Sequence, residues 1–332
     1  MLRIGACLAV LLAATPASAN DTMAELATGG LIFVRTDAVS IESEDLYISP
    51  EAVRVAYVFR NHADTDIDTV VAFPMPDIQP MPYAEVAMPE PGADNFLGFS
   101  VTADGKAINP SLDQRAFAAE VDVTAELRAQ NIPLNPGARN IAEALLRLSP
   151  GTRKEWVARG LIVIGGYDDG SGLKEELFPV WKLKSTYWWR MTFPAGERVE
   201  VKHDYKPSVG ATTGVTFFYD GKTGGPQLEE YRRKYCLDVE FERSVTNAAN
   251  KAPDGFPPYW ESWISYVLTT GANWASTIGR FTLTVDKGDP ANLVSFCGSG
   301  VKKIGPTTFR VTYTDFVPER DIDILLLKRF DR

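Results

Sequence analysis

Only two histidines and three cysteines occur among 332 residues. The chain also carries no basic excess and no apolar run of membrane-spanning length. Each shortage excludes something. A spanning helix needs about 18 apolar residues in a row, so an integral membrane protein is not expected. Lys and Arg number 34 against 43 Asp and Glu, a formal net charge of −9, which argues against nucleic acid as a partner. His62 and His203 have no second histidine or cysteine at metal-ligand spacing, so neither a metal site nor a cofactor is expected. No repeat of fixed short period is present.

What is present begins with a tripartite export pattern. Arg3 supplies a positive start, Leu8 to Ala14 an apolar stretch, and Ala17-Ser18-Ala19 a small-residue cleavage site. Residues 1–19 therefore read as a signal peptide, with the mature chain starting near Asn20 in the periplasm. Gly5-Ala6-Cys7 only loosely mimics a lipoprotein site, because its cysteine precedes most of the apolar stretch. Loss of Cys7 with the signal leaves Cys236 and Cys297 in an oxidising compartment. They either pair, which chain entropy values at about 4 kcal/mol, or remain two buried free thiols.

Side-chain alternation dominates the mature chain. Val53, Val55, Tyr57 and Phe59 share one strand face, and Ile67, Thr69, Val71 and Phe73 resume the period after a polar loop, which reads as a hairpin. Phe73-Pro74-Met75-Pro76 ends that ladder, since proline lacks an N–H. Asp104-Gly105 and Asp220-Gly221 are turn pairs. At Asn109-Pro110 the pattern shifts, and three helices are expected across 111–160. Ser111 caps the first, bearing Phe117, Val121 and Leu127; Ile141, Ala144, Leu145 and Leu148 mark the second; Thr152 caps the third, with Trp156 and Val157. Gly165 to Gly172 reads as a flexible loop. Alternation then returns: Val199, Val201 and His203 on one strand, Phe281, Leu283 and Val285 pairing with Phe309, Val311 and Tyr313, and a last strand through Ile322, Ile324 and Leu326.

These patterns predict a mainly β protein with a helical insertion (α+β), built of antiparallel, sandwich-like sheets. The expected segments are 1–19 (signal), 20–110 (N-terminal β domain), 111–182 (helical insertion and loop) and 183–332 (C-terminal β domain).

No catalytic set assembles. Cys297-Gly298-Ser299-Gly300 lacks nucleophile-elbow spacing, and nothing brings Ser299 to His203. Asp168 to Gly172 lacks the alternating oxygens and distant Glu of a calcium loop. Glu42, Glu44, Asp45, Glu175 and Glu176 could include a glycosidase pair, but their separation is invisible in sequence. Aromatics carry more information. In Tyr187-Trp188-Trp189 neighbouring side chains point to opposite faces, so one tryptophan leaves the core unless the helices cover it. Tyr259, Trp260, Trp263 and Trp274 form a second group. Trp188, Trp189, Tyr259, Trp260 and Trp263 are the candidate binding residues, suited to a glycan or an envelope protein, with core filling as the competing use.

Five stretches together resemble domain-of-unknown-function family 4424, a group of exported bacterial proteins. They are Asn20 to Leu26 with Gly29-Gly30-Leu31, Ala72 to Asp77, Thr270 to Trp274, Val294 to Gly298, and Asp315 to Asp321. The resemblance implies a periplasmic location and transfers no activity. The expected function is a non-enzymatic periplasmic binding or envelope-associated protein. A periplasmic hydrolase acting on glycans or peptides through paired carboxylates is the alternative, and a purely structural envelope component the third.

Overall fold

The computed structural model describes residues 21–27, 30–80, 85–90, 93–168 and 170–330. The expected signal segment lies outside them. Three sheets carry the architecture. The largest, of eight strands, runs edge to edge Lys302–Lys303, Thr308–Phe316, Ile278–Asp286, Val39–Ile48, Val53–Asn61, Arg198–Tyr205, Ser100–Ala103 and Lys106–Ile108. A six-stranded sheet runs Val121–Asp122, Ser111–Ala118, Lys182–Phe193, Ile67–Pro74, Thr22–Ala27 and Gly30–Val34. The third, of five, runs Leu293–Phe296, Ile322–Arg329, Tyr259–Tyr266, Val209–Ala211 and Glu85–Ala87.

One apolar cluster joins all three. Val55, Tyr57, Phe59, Val201 and Leu283 come from the eight-stranded sheet, Val71, Phe73, Trp189 and Phe193 from the six-stranded one, and Ile264, Tyr266 and Ile324 from the third. Both smaller sheets therefore pack on the inner face of the large one. Strand alternation is the cause: Arg198–Tyr205 alternates exposed and buried along its whole length. The mainly β, sandwich-like reading holds. Among the described residues no helix is long and apolar enough to cross a membrane.

Neighbour choice differs from the sequence reading. Val53–Asn61 pairs with Val39–Ile48 and Arg198–Tyr205, while Ile67–Pro74 crosses into the six-stranded sheet. The expected hairpin is an arch between sheets. Period-two alternation states which face is buried and leaves the hydrogen-bonded neighbour open. The crossing is held by the Asn61 amide, which donates to the Thr65 and Phe193 carbonyls at 3.0 and 2.9 Å. The large sheet mixes strands from 20–110 and 183–332, so these two segments fold together rather than as separate sandwiches. Its one parallel pairing, Val39–Ile48 with Ile278–Asp286, starts beside a register shift at Ile41/Ser43. A Cβ on Gly279 would stand 2.7 Å from the Glu42 carbonyl, so only glycine fits that approach.

The helical insertion is smaller than expected. Ser111–Ala118 is a strand, pairing Leu112 with Tyr187 and Phe117 with Lys182. Helices occupy Thr124–Ala129, Ile141–Leu146 and Pro150–Ala158, and the last is capped by Ser149, whose hydroxyl accepts from the Thr152 N–H at 3.1 Å. Around Trp156 and Trp181 they form a second small core. The glycine-rich stretch from Gly165 forms strand as far as Asp168, in a hairpin of Ile162–Asp168 with Leu173–Pro179. Two further helices, Pro226–Tyr235 and Val239–Lys251, pack on the outer face of the five-stranded sheet.

Those two helices are fastened by a covalent bond and by a buried carboxyl, and each can be tested. Cys236 and Cys297 form a disulfide closing a separation of 61 residues. Cys236→Ala/Cys297→Ala should therefore lose up to about 4 kcal/mol in urea denaturation, as chain entropy dictates. Beneath the helices lies Glu261, fully buried, accepting from the Thr216 N–H and Oγ1–H at 2.6 and 2.8 Å and the Tyr231 hydroxyl at 2.8 Å. Burial pushes its carboxyl above the ordinary range, and those hydrogen bonds only partly offset this. A raised carboxyl favours the folded state when protonated, so its contribution falls as pH rises through its folded value. Relative to Glu261→Gln, the wild type should gain stability as pH drops from neutral toward the ordinary carboxylate range. Glu261→Ala should lose about 2–3 kcal/mol by orphaning three donors.

Candidate functional site

The five aromatic candidates do not meet. Trp189 lies in the main core, and Tyr259 is buried beneath the helices. Trp263 faces the same helical layer, its ring lying across Gly210, where a Cβ would stand 2.0 Å from the indole nitrogen. Trp188 is half-buried on the opposite face of its sheet, against Ala24, Val70 and Ala72, and Trp260 is half-buried with the Lys328 ammonium 4.9 Å above it. Successive residues of a strand face opposite ways, so Trp188 and Trp189 part. They form no common surface.

His203 is also interior. Its Nε2 stands 3.4 Å from Asp21 Oδ2, with both side chains fully buried. Tyr57, Phe73, Phe99 and Trp189 rings surround it with centroids 4.5 to 5.6 Å away. Burial raises the Asp21 carboxyl above its ordinary value, against the opposing pull of His203. His62 sits elsewhere, its Nε2 2.7 Å from Ser40 Oγ.

The outer face of the eight-stranded sheet offers a different site. A broad trough of about 900 Å³ lies across it. One row of side chains crosses seven strands in register: Lys302, Arg310, Thr284, Tyr47, Arg54, Asp204 and Ser100. At about 4.8 Å per strand the row is roughly 29 Å long. Beside it run Thr312, Thr282, Asp45, Ala56, Lys202 and Thr102. Apart from Lys302, on a two-residue strand exposed throughout, each of these positions is the outward member of an alternating strand.

Charge is distributed unevenly along the trough. At its centre Arg54 bridges Asp204 at 3.1 Å and lies 5.3 Å over the Tyr47 ring, and Arg280 reaches Asp45 at 3.6 Å. Lys202 pairs with Glu200 at 2.8 Å. The Tyr47 hydroxyl donates to Asp286 at 3.2 Å, and burial raises its pKa. One end is cationic. Arg310 lines that end and directly opposes Lys302, which stands just beyond the trough lining on the edge strand, and the Arg310 Nε donates to the Thr284 hydroxyl at 3.1 Å. Among the described residues no carboxylate lies within ion-pair distance of either cation. The Thr/Arg alternation was visible in Thr282 to Thr284 and Arg310 to Thr314, but nothing in sequence places those strands beside Tyr47 and Arg54.

Like charges facing each other across a ladder repel. Lys302→Ser should therefore stabilise the isolated protein by about 0.2–1 kcal/mol in low salt, an effect that fades as salt screens the pair. Urea denaturation at two ionic strengths measures it.

Comparison with known proteins adds a family. No curated protein matches the chain in sequence. Among solved structures, a candidate nutrient-binding protein from Legionella pneumophila aligns at 15% identity and a TM-score of 0.44, over 93% of this chain and 70% of that one. The five stretches that carried the resemblance fall inside the span of a family model running over residues 19–325, and the chain belongs to DUF4424, a domain of unknown function.

Proposed function

We propose that the protein is a non-enzymatic binding protein of the periplasm, exported by cleavage near Ala19, that holds a polar ligand against the outer face of its eight-stranded sheet. One observation carries this reading. The largest sheet buries its inner face under two others and presents an outer trough of in-register hydroxyl, guanidinium and phenol groups. Polar side chains on one rigid sheet lose little freedom on binding, which favours a preorganised site.

The hydrolase alternative finds less support. Asp45 and Asp204 line the trough, yet each is already engaged by an arginine rather than by its fellow carboxylate. His203 lends its backbone to the trough floor while its ring faces the core. Trp188 remains as a secondary contact for an envelope protein.

Two measurements test the reading. Mass spectrometry of the protein from periplasmic extract should show an N-terminus at or next to Asn20, and an uncut chain in the cytoplasm would overturn the export proposal. A thermal-shift screen of polar solutes should yield stabilising ligands, with shifts reduced in Tyr47→Ala and Arg54→Ala but kept in Trp188→Ala. Shifts that survive both trough substitutions would remove the trough from consideration.

A further inference from the structure

We propose that the cationic end of the trough takes the acidic group of an anionic, hydroxyl-rich chain, a carboxylate-bearing oligosaccharide, whose sugar hydroxyls lie along the threonine rows. This rests on reading the outer sheet face as the binding surface. Electrostatics favour an acidic group. In a chain of net charge −9, Arg310 and Lys302 stand opposite each other on a ladder. Such an arrangement costs stability in the free protein, and an anion seated between the two cations offsets that cost.

The length and chemistry of the adjoining row favour a sugar chain. From Arg310 the register leads to Thr284 and Tyr47, with Thr282 and Thr312 alongside, before reaching Arg54. Arg54 lies three strands from Arg310, about 14 Å. Hydroxyls both donate and accept, so a threonine row matches sugar hydroxyls without demanding one orientation. The Tyr47 ring is half-buried and already capped by Arg54, and it supplies the flat apolar element between the two guanidinium groups. An isolated small anion would use only the Arg310–Lys302 end. A neutral sugar would leave that repulsion in place. An acidic oligosaccharide uses the whole row.

Isothermal titration of the purified protein with hexagalacturonate, its methyl ester, maltohexaose and inorganic phosphate distinguishes these cases. Hexagalacturonate should bind, weaken with added salt, and lose about tenfold or more in affinity in Arg310→Ala and again in Lys302→Ser. The methyl ester should bind at least about tenfold more weakly than the acid, as loss of a charge-assisted pair requires. Lys302 lies on a two-residue edge strand, so Lys302→Ser reports on binding even where Arg310→Ala perturbs the sheet. Equal binding of ester or maltohexaose, lost in Tyr47→Ala, would keep the trough as the site and overturn the anionic ligand. Phosphate binding as tightly as the hexamer would overturn the oligosaccharide. Hexamer binding untouched by any trough substitution would overturn both the ligand and the site, and no binding of the hexamer would overturn the ligand class.

Discussion

Everything in this fold depends on one buried polar junction where the three sheets meet. Asp21, at the head of the first described strand, enters the core and faces His203 of the eight-stranded sheet. Close by, the Tyr57 and Tyr266 hydroxyls stand 3.0 Å apart and tie that sheet to the five-stranded one. Burial raises both phenols well above their ordinary pKa, with the Glu44 carboxylate adding to it. Polar groups in a low-dielectric interior must meet defined partners or cost several kcal/mol. An apolar core alone tolerates sliding between sheets. This junction does not, because a one-residue slip would carry Asp21 to the opposite face of its strand.

The N-terminal strand is fastened from several directions. The Trp274 indole N–H donates to the Asp21 carbonyl, and the Asn273 amide donates to the Thr22 hydroxyl at 3.0 Å. Residues about 250 positions apart in sequence thus meet at one corner. Segments 20–110 and 183–332 form one structure for the same reason: the junction needs side chains from both.

An interior so fully specified leaves the outer surfaces free to differ. Helices cover the five-stranded sheet, with Tyr231, Val245 and Leu325 between them. On the six-stranded sheet a small apolar cluster around Val70 and Ala72 lies beneath Trp188 and Leu31. The eight-stranded sheet instead turns outward a face of threonine, arginine and lysine. Packing does not require those residue types there, since any polar residue would keep the alternation. A lysine facing an arginine is a choice against stability, and such choices concentrate where proteins bind or react.

Much of this architecture was legible in the chain. Phe281 to Val285 pairs with Phe309 to Tyr313 as alternation implied, Asp104-Gly105 and Asp220-Gly221 both turn with positive φ, and Cys236 meets Cys297. Local chemistry decides such features: period two marks a face, Asp-Gly tolerates left-handed backbone, and among the described residues Cys236 and Cys297 have only each other. The scattering of the aromatic candidates was not legible, because a tryptophan in an alternating strand reads the same whether its face meets a sheet, a helix or solvent. Nor was Ser111–Ala118 distinguishable from a helix start, since Phe117, Val121 and Leu127 also suit a helical face. By itself the sequence determined which side chains share a strand face, where the turns fall and which cysteines can pair. Only tertiary structure decided which strands lie side by side, that Asp21 meets His203, and that one outward row crosses seven strands. The reason is physical: burial of a strand face is written in its own residues, whereas its neighbour is chosen by complementarity with segments hundreds of residues away.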